Sequence, residues 1–120
     1  MPKIEKKNFS SPDESRSFSK GNVKLVKLAG VTFGLATFEP GWKWSESVKP
    51  IAKTKSCEVG HTLHVLSGRM RTVMDDGTAG EFGPGDVGII PPGHDAWVVG
   101  NSPCIAVDIA GMAEYAKPKK

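Results

Sequence analysis

Apolar residues recur at every second position over much of the chain, the period of a strand that turns one face to a core. Val23-Leu25 and Val31-Phe33-Leu35, on either side of Gly30, predict a hairpin; its second strand runs to about Phe38, where Glu39-Pro40-Gly41 breaks it. His61-Thr62-Leu63-His64-Val65-Leu66 predicts a strand, Ser67-Gly68 turns it, Arg69 to Met74 alternates back, and Asp75-Asp76-Gly77 is a hairpin turn into a third strand in tandem. Val87-Gly88-Ile89-Ile90 is a short apolar run stopped by Pro91-Pro92-Gly93, a rigid corner that re-aims the backbone into a second strand through Val98-Val99. Cys104 to Ile109 predicts the last core strand, and Val48-Lys49-Pro50-Ile51 reads as a loop or edge strand, since its proline cannot donate to a ladder.

The ends break this period. Residues 1–20 are polar apart from Ile4, Phe9 and Phe18 and predict an irregular N-terminal arm; Met112 to Ala116 predicts one short helical turn ahead of a basic tail, 117–120. The barrel is expected over 21–116.

Composition narrows the picture. A chain of 120 residues is one domain, able to bury roughly two-thirds of its unfolded surface around a single core. Its 14 Gly and 9 Pro are not periodic and lie between apolar runs, which favours many turns and an all-β fold over disorder. The net charge of +3 misleads: six of the 16 basic residues stand in the two tails with one acid, Glu5, so the middle of the chain is net negative. No basic face is left for a nucleic acid. No window approaches the roughly 20 apolar residues of a membrane span, and the N-terminus has no apolar leader, so a soluble cytoplasmic protein is expected, with no membrane partner. Cys57 and Cys104 have no CxxC or zinc-finger spacing and are expected to be reduced.

The alternation also sorts the polar residues. Period two puts Lys55, Cys57, Val59, His61, Leu63 and Val65 on one face, the apolar one, and sends His64 to the other. Lys55 is expected to leave at the rim, and His64 to take a packing or surface role. Trp42 and Trp44 lie close to a strand end and either plug a barrel or line a pocket mouth, with Trp44 a candidate ligand contact. Asp95, beside His94, either orients that imidazole or satisfies turn amides.

Gly85, five residues, Pro91, any residue, Gly93 resembles the second motif of the cupin superfamily, and Val65-Leu66-Ser67-Gly68 resembles the end of its first. Together with PGWKWSESVKP, HVLSGRM and MDDG, these pieces look like small single-domain bacterial cupins, over about Pro40 to Asp108. The resemblance implies a jelly roll, a double-stranded β-helix closed into a barrel, and a homodimer. It also exposes departures. Counted back from Gly68, Lys55 and Cys57 fall where the family carries its two first-motif His, His61 where it carries Glu, and Ala96 where it carries the second-motif His.

Ligand capacity survives in other residues. Cys57 and His61 share the inward face, and His94 shares the parity of position 96, so the three are expected to converge. A thiolate, two imidazoles and a water suit zinc, with another divalent metal as the alternative; iron or manganese would want more oxygen. The bland alternative is a small apolar Cys and a His that bonds a carbonyl. Three functions follow: a binding module holding a small polar or aromatic molecule in the barrel mouth among Trp44, Cys57, His61, His94 and Asp95; a metal-dependent enzyme on a small acid or carbohydrate, with His61 and His94 as ligands; or a scaffold whose interior is filled by its own side chains.

Overall fold

The computed structural model describes residues 3–109. The chain runs β1 (Glu14–Phe18), β2 (Gly21–Leu28), β3 (Val31–Phe38), α1 (Trp44–Ser47), α2 (Lys49–Ala52), β4 (His61–Ser67), β5 (Met70–Met74), β6 (Ala79–Phe82), β7 (Val87–Ile90), β8 (His94–Val98) and β9 (Cys104–Asp108). The helical turn expected over Met112 to Ala116 and the basic tail lie outside the described residues.

Two antiparallel sheets result. One has six strands in the order β1-β2-β3-β9-β4-β7, the other three in the order β6-β5-β8. Their facing sides supply one core: Val23, Leu25, Ala36, Phe38, Leu63, Val65, Cys104 and Ala106 from the first sheet meet Met70, Ala96 and Val98 from the second. Each fully buried Leu or Val there contributes on the order of 1.5–3 kcal/mol. The double-sheet barrel expected from the sequence is therefore present, and β9 is its keystone: it sits between β3 and β4, joining the N-terminal meander to the rest.

The expected β2–β3 hairpin is present, with Leu28 opposite Val31 and Gly21 opposite Phe38, and Asp75-Asp76-Gly77 links β5 to β6 with Val73 opposite Ala79. The two corners do something different from a hairpin. At Ser67-Gly68 the chain leaves the six-stranded sheet and enters the other, so β4 and β5 follow each other in sequence without pairing. Pro91-Pro92-Gly93 makes the same crossing between β7 and β8. Gly68 is required at its corner: φ is +76°, and a Cβ there would stand 2.1 Å from the Pro103 carbonyl oxygen.

Two expectations are corrected. The arm is regular over Glu14–Phe18, which pairs with β2 along its whole length and packs Phe18 against Phe38. The Val48–Ile51 stretch is helical, because Pro50 falls in the first turn of α2, where its missing N–H has no partner to lose. β4 begins at His61, as expected; ahead of it, over residues 53–60, only Cys57 pairs, in an isolated bridge to His94.

Candidate metal centre

Three local features bring three side chains to one point. His61 is the first residue of β4, and His94 is the first of β8, just past the Pro91-Pro92-Gly93 corner. Cys57 is pinned to that corner by its backbone, its N–H donating to the His94 carbonyl at 2.8 Å and its carbonyl accepting from Gly93 at 2.7 Å. The Cys57, His61 and His94 side chains then face inward, only 2 %, 6 % and 3 % exposed, and their ligand atoms all lie within 4.8 Å of one another. The Cys57 Sγ is 3.8 Å from His61 Nε2, and the two imidazoles meet edge to face with centroids 5.3 Å apart.

Both rings are oriented from behind. His61 Nδ1 donates to Asp108 Oδ2 at 2.6 Å, a contact buried on both sides. His94 Nδ1 lies 2.8 Å from the Pro91 carbonyl oxygen, which can only accept. With each Nδ1 carrying the proton, each Nε2 is left with its lone pair, the tautomer a metal-binding imidazole needs and one that a buried carboxylate or carbonyl partner commonly fixes. The donors thus fit a divalent ion with affinity for sulfur and nitrogen.

Burial sets the charge states. Desolvation holds the His94 pKa below the usual imidazole value, so this ring is neutral at pH 7. Desolvation pushes the Cys57 thiol up to about 11, against a smaller opposing effect of a backbone hydrogen bond from Val59. Without a cation, Cys57 is a thiol; a divalent charge beside it favours the thiolate.

The enclosed space is small. Trp42, Trp44, Met70, His61, His94 and Asp108 help to line a cavity with about 30 Å³ open to the centre of a water molecule. One water needs roughly 10–15 Å³ by that measure, so an ion with a water or a very small molecule fits and an aromatic guest does not. Trp42 and Trp44 are each 2 % exposed and both stand in the wall of this cavity. The Trp42 indole N–H is buried beside this space with no hydrogen-bond partner among the described residues.

Asp95 satisfies amides. Its Oδ1 accepts from Ser45 N at 3.1 Å and from Ala96 N at 2.9 Å. The first of these caps α1, whose own N-cap residue, Lys43, contributes no side-chain bond. Lys55 and His64 are exposed, as expected, and Cys57 and Cys104 are both free. Asp108 is the functional residue that sequence reasoning missed. The signal was present, since Asp108 shares the parity of Cys104 and Ala106, and a carboxylate on the inward side of a core strand needs a partner.

The sequence matches no protein-family model and no curated protein. Solved structures do match. The polyketide cyclase RemF of Streptomyces resistomycificus superposes with a TM-score of 0.62 at 18% identity, over 91% of this chain and 80% of that one. Lactobacillus farciminis oxalate decarboxylase, in a formate complex, gives 0.60 at 17% identity over 85% of this chain. Bacillus subtilis oxalate decarboxylase, which has Mn(II) centres, gives 0.53 at 22% identity over 83%. This chain spans only 32% and 27% of those two decarboxylases. At these identities the likeness establishes the architecture: the chain has the small-cupin jelly-roll fold. Among the described residues, no helix is long and apolar enough to cross a membrane.

Proposed function

We propose that this chain is a metal-dependent cupin in which Cys57, His61 and His94 would hold one zinc ion beside the cavity. The observation that carries the reading is the convergence of one ligand atom each from Cys57, His61 and His94 within 4.8 Å of one another, with the two rings oriented by Nδ1 contacts to Asp108 at 2.6 Å and to Pro91 at 2.8 Å. Zinc is preferred over the Mn(II) of the Bacillus enzyme because the donors are one thiolate and two imidazoles, with no carboxylate oxygen in the group. When bound, the ion supplies a positive charge that polarises an oxygen atom beside it.

The chain's own residues do the rest. Asp108 fixes the His61 tautomer and accepts its Nδ1 proton's hydrogen bond; Pro91 does the same for His94. Phe38, Trp42, Trp44 and Met70 keep bulk water out. The size of the space selects a small acid, of roughly formate size, over a carbohydrate ring or an aromatic molecule; formate is also the ligand of the Lactobacillus complex. The two free cysteines suit a reducing compartment such as the cytoplasm. Association of two copies would cover Leu66, Val87 and Ile89, which stand 47 %, 74 % and 75 % exposed, and a solution mass measurement tests that part.

Elemental analysis of protein purified without chelators tests the site. Stoichiometric zinc in the native chain and none in His61→Ala is the expected result. A native chain that takes up no stoichiometric metal even after incubation with zinc overturns the proposal.

A further inference from the structure

The three metal donors are closed off from solvent. Cys57, His61 and His94 are 2 %, 6 % and 3 % exposed, so a hydrated ion reaches them only if part of the wall moves. Two of the three stand on paired strands: β4 lies between β9 and β7, and β8 pairs with β5 over its whole length. Cys57 alone is carried by an irregular stretch, 53–60, in which no other side chain is fully buried. That stretch covers the free edge of β8. This strand is the outermost of its sheet, and its open side is paired, among the described residues, at two isolated bridges, Lys43 to Trp97 and Cys57 to His94.

The stretch has the parts of a strap. At one end Lys53 closes α2 in the left-handed conformation, φ +58°, which strains a residue that has a Cβ. At the other end Gly60 leads into β4. In between, the Cys57 N–H donates to the His94 carbonyl at 2.8 Å, its carbonyl accepts from Gly93 N at 2.7 Å, and the exposed Ser56 hydroxyl donates to Asp75 Oδ2 at 3.0 Å. The Cys57 side chain and half-buried Val59 are what the stretch packs against the core. A segment with so little buried apolar surface and hydrogen bonds at the surface opens well before the core does. Cys104 is the contrast, 0 % exposed on β9 with a paired strand on either side. We propose that residues 53–60 swing out as a unit about Lys53 and Gly60, latched by Ser56 to Asp75, and that this opening is the path by which metal enters and leaves. The second half rests on the zinc reading above; the first does not.

Labelling of the metal-free full chain with iodoacetamide, read site by site by mass spectrometry, tests the strap on its own. Burial pushes both thiols up to about 11, so at one pH their difference in rate reports opening. In the folded chain Cys57 should label more than about tenfold faster than Cys104, and in concentrated urea the two should label alike. Ser56→Ala, which removes the latch, should speed Cys57 by about two- to tenfold, the range one net hydrogen bond carries. At Gly60 an added Cβ would come no nearer than 3.4 Å, to Pro92; Gly60→Ala therefore fits the closed strap, narrows the freedom of the open one, and should slow Cys57 by about two- to fivefold. Neither change should move Cys104. Zinc uptake and release, followed with a chelating dye, should each change by the labelling factor in both variants, leaving the dissociation constant as it was. The proposal is overturned if the two thiols label together, if Ser56→Ala leaves Cys57 at its native rate, or if zinc exchange ignores variants that labelling follows. Zinc that binds while the thiols label together counts against the strap alone; Cys57 that labels first in a chain taking up no zinc counts against the metal reading.

Discussion

Replacing Asp108 with asparagine tests how the metal centre is held. Asn keeps the shape and an acceptor oxygen for His61 Nδ1 but removes the carboxylate charge behind the ring. The contact is 2.6 Å, with side chains 5 % and 1 % exposed, so solvent screens it little. Loss of such a partner weakens metal affinity by about 10- to 100-fold, or roughly 1.4–2.7 kcal/mol, and burial places this case towards the upper end. Zinc at about 1,000 times its native dissociation constant stabilises the folded chain by about 4 kcal/mol; after a 100-fold loss of affinity the same concentration gives about 1.4 kcal/mol. At roughly 4 °C per kcal/mol for a domain of this size, the zinc-induced rise in Tm should shrink by on the order of 10 °C. A chelator-competition titration gives the affinity directly, and melting with and without zinc gives the shift. If Asp108→Asn binds zinc as tightly as the native chain, Asp108 does not support the ligand and the reasoning from tautomers fails.

Other consequences can be measured separately. Burial pushes both thiols, Cys57 and Cys104, up to about 11 from an ordinary 9.0. The folded chain therefore holds these protons more tightly than the unfolded one, so the stability they contribute is whole below about pH 9 and is lost as the pH rises through 11. In the metal-free protein, ultraviolet thiolate absorbance should rise near pH 11, whereas zinc should produce one thiolate per chain at pH 7; a native thiol titrating near 9 contradicts the burial. Asp95→Ala should cost about 1 kcal/mol in urea unfolding by removing the cap on α1 while zinc affinity stays unchanged, and a large loss of affinity would instead make Asp95 part of the metal site. Gly68→Ala should cost more than about 2 kcal/mol or prevent folding, since its Cβ would meet a backbone carbonyl oxygen at 2.1 Å; near-native stability in urea would mean that the corner can shift.

Period two carried most of what could be read in advance. It put Cys57, His61, Leu63 and Val65 on one side, and all four are buried although residues 53–60 form no strand; the chain stays aligned because Cys57 is bridged to His94. It placed His94 inward by the parity of Ala96, and β8 alternates buried and half-buried as required. What it could not supply is partnership. β4 and β5 alternate as a hairpin would, yet only packing decides that Ser67-Gly68 passes from one sheet to the other. Glu14-Ser15-Arg16-Ser17 has no apolar signal, because an edge strand takes its order from the neighbour it pairs with. Pro50 was misread because one missing N–H is compatible with both an edge and a first helical turn. Asp108 was passed over as a strand residue because its meaning depends on His61, a side chain 47 positions away.

The position of β9 gives the site a timing. Of the four groups involved, an unfolded chain offers only Cys57 and His61 close together in sequence; His94 arrives across a corner, and Asp108 is carried by the strand inserted between β3 and β4. During synthesis the donors are made well before the carboxylate that aligns them, and that carboxylate can act only once both halves of the larger sheet have been stitched together. Tight zinc uptake by a growing chain would thus mark the moment at which the barrel closes, making the ion a reporter of completed folding and not a seed for it.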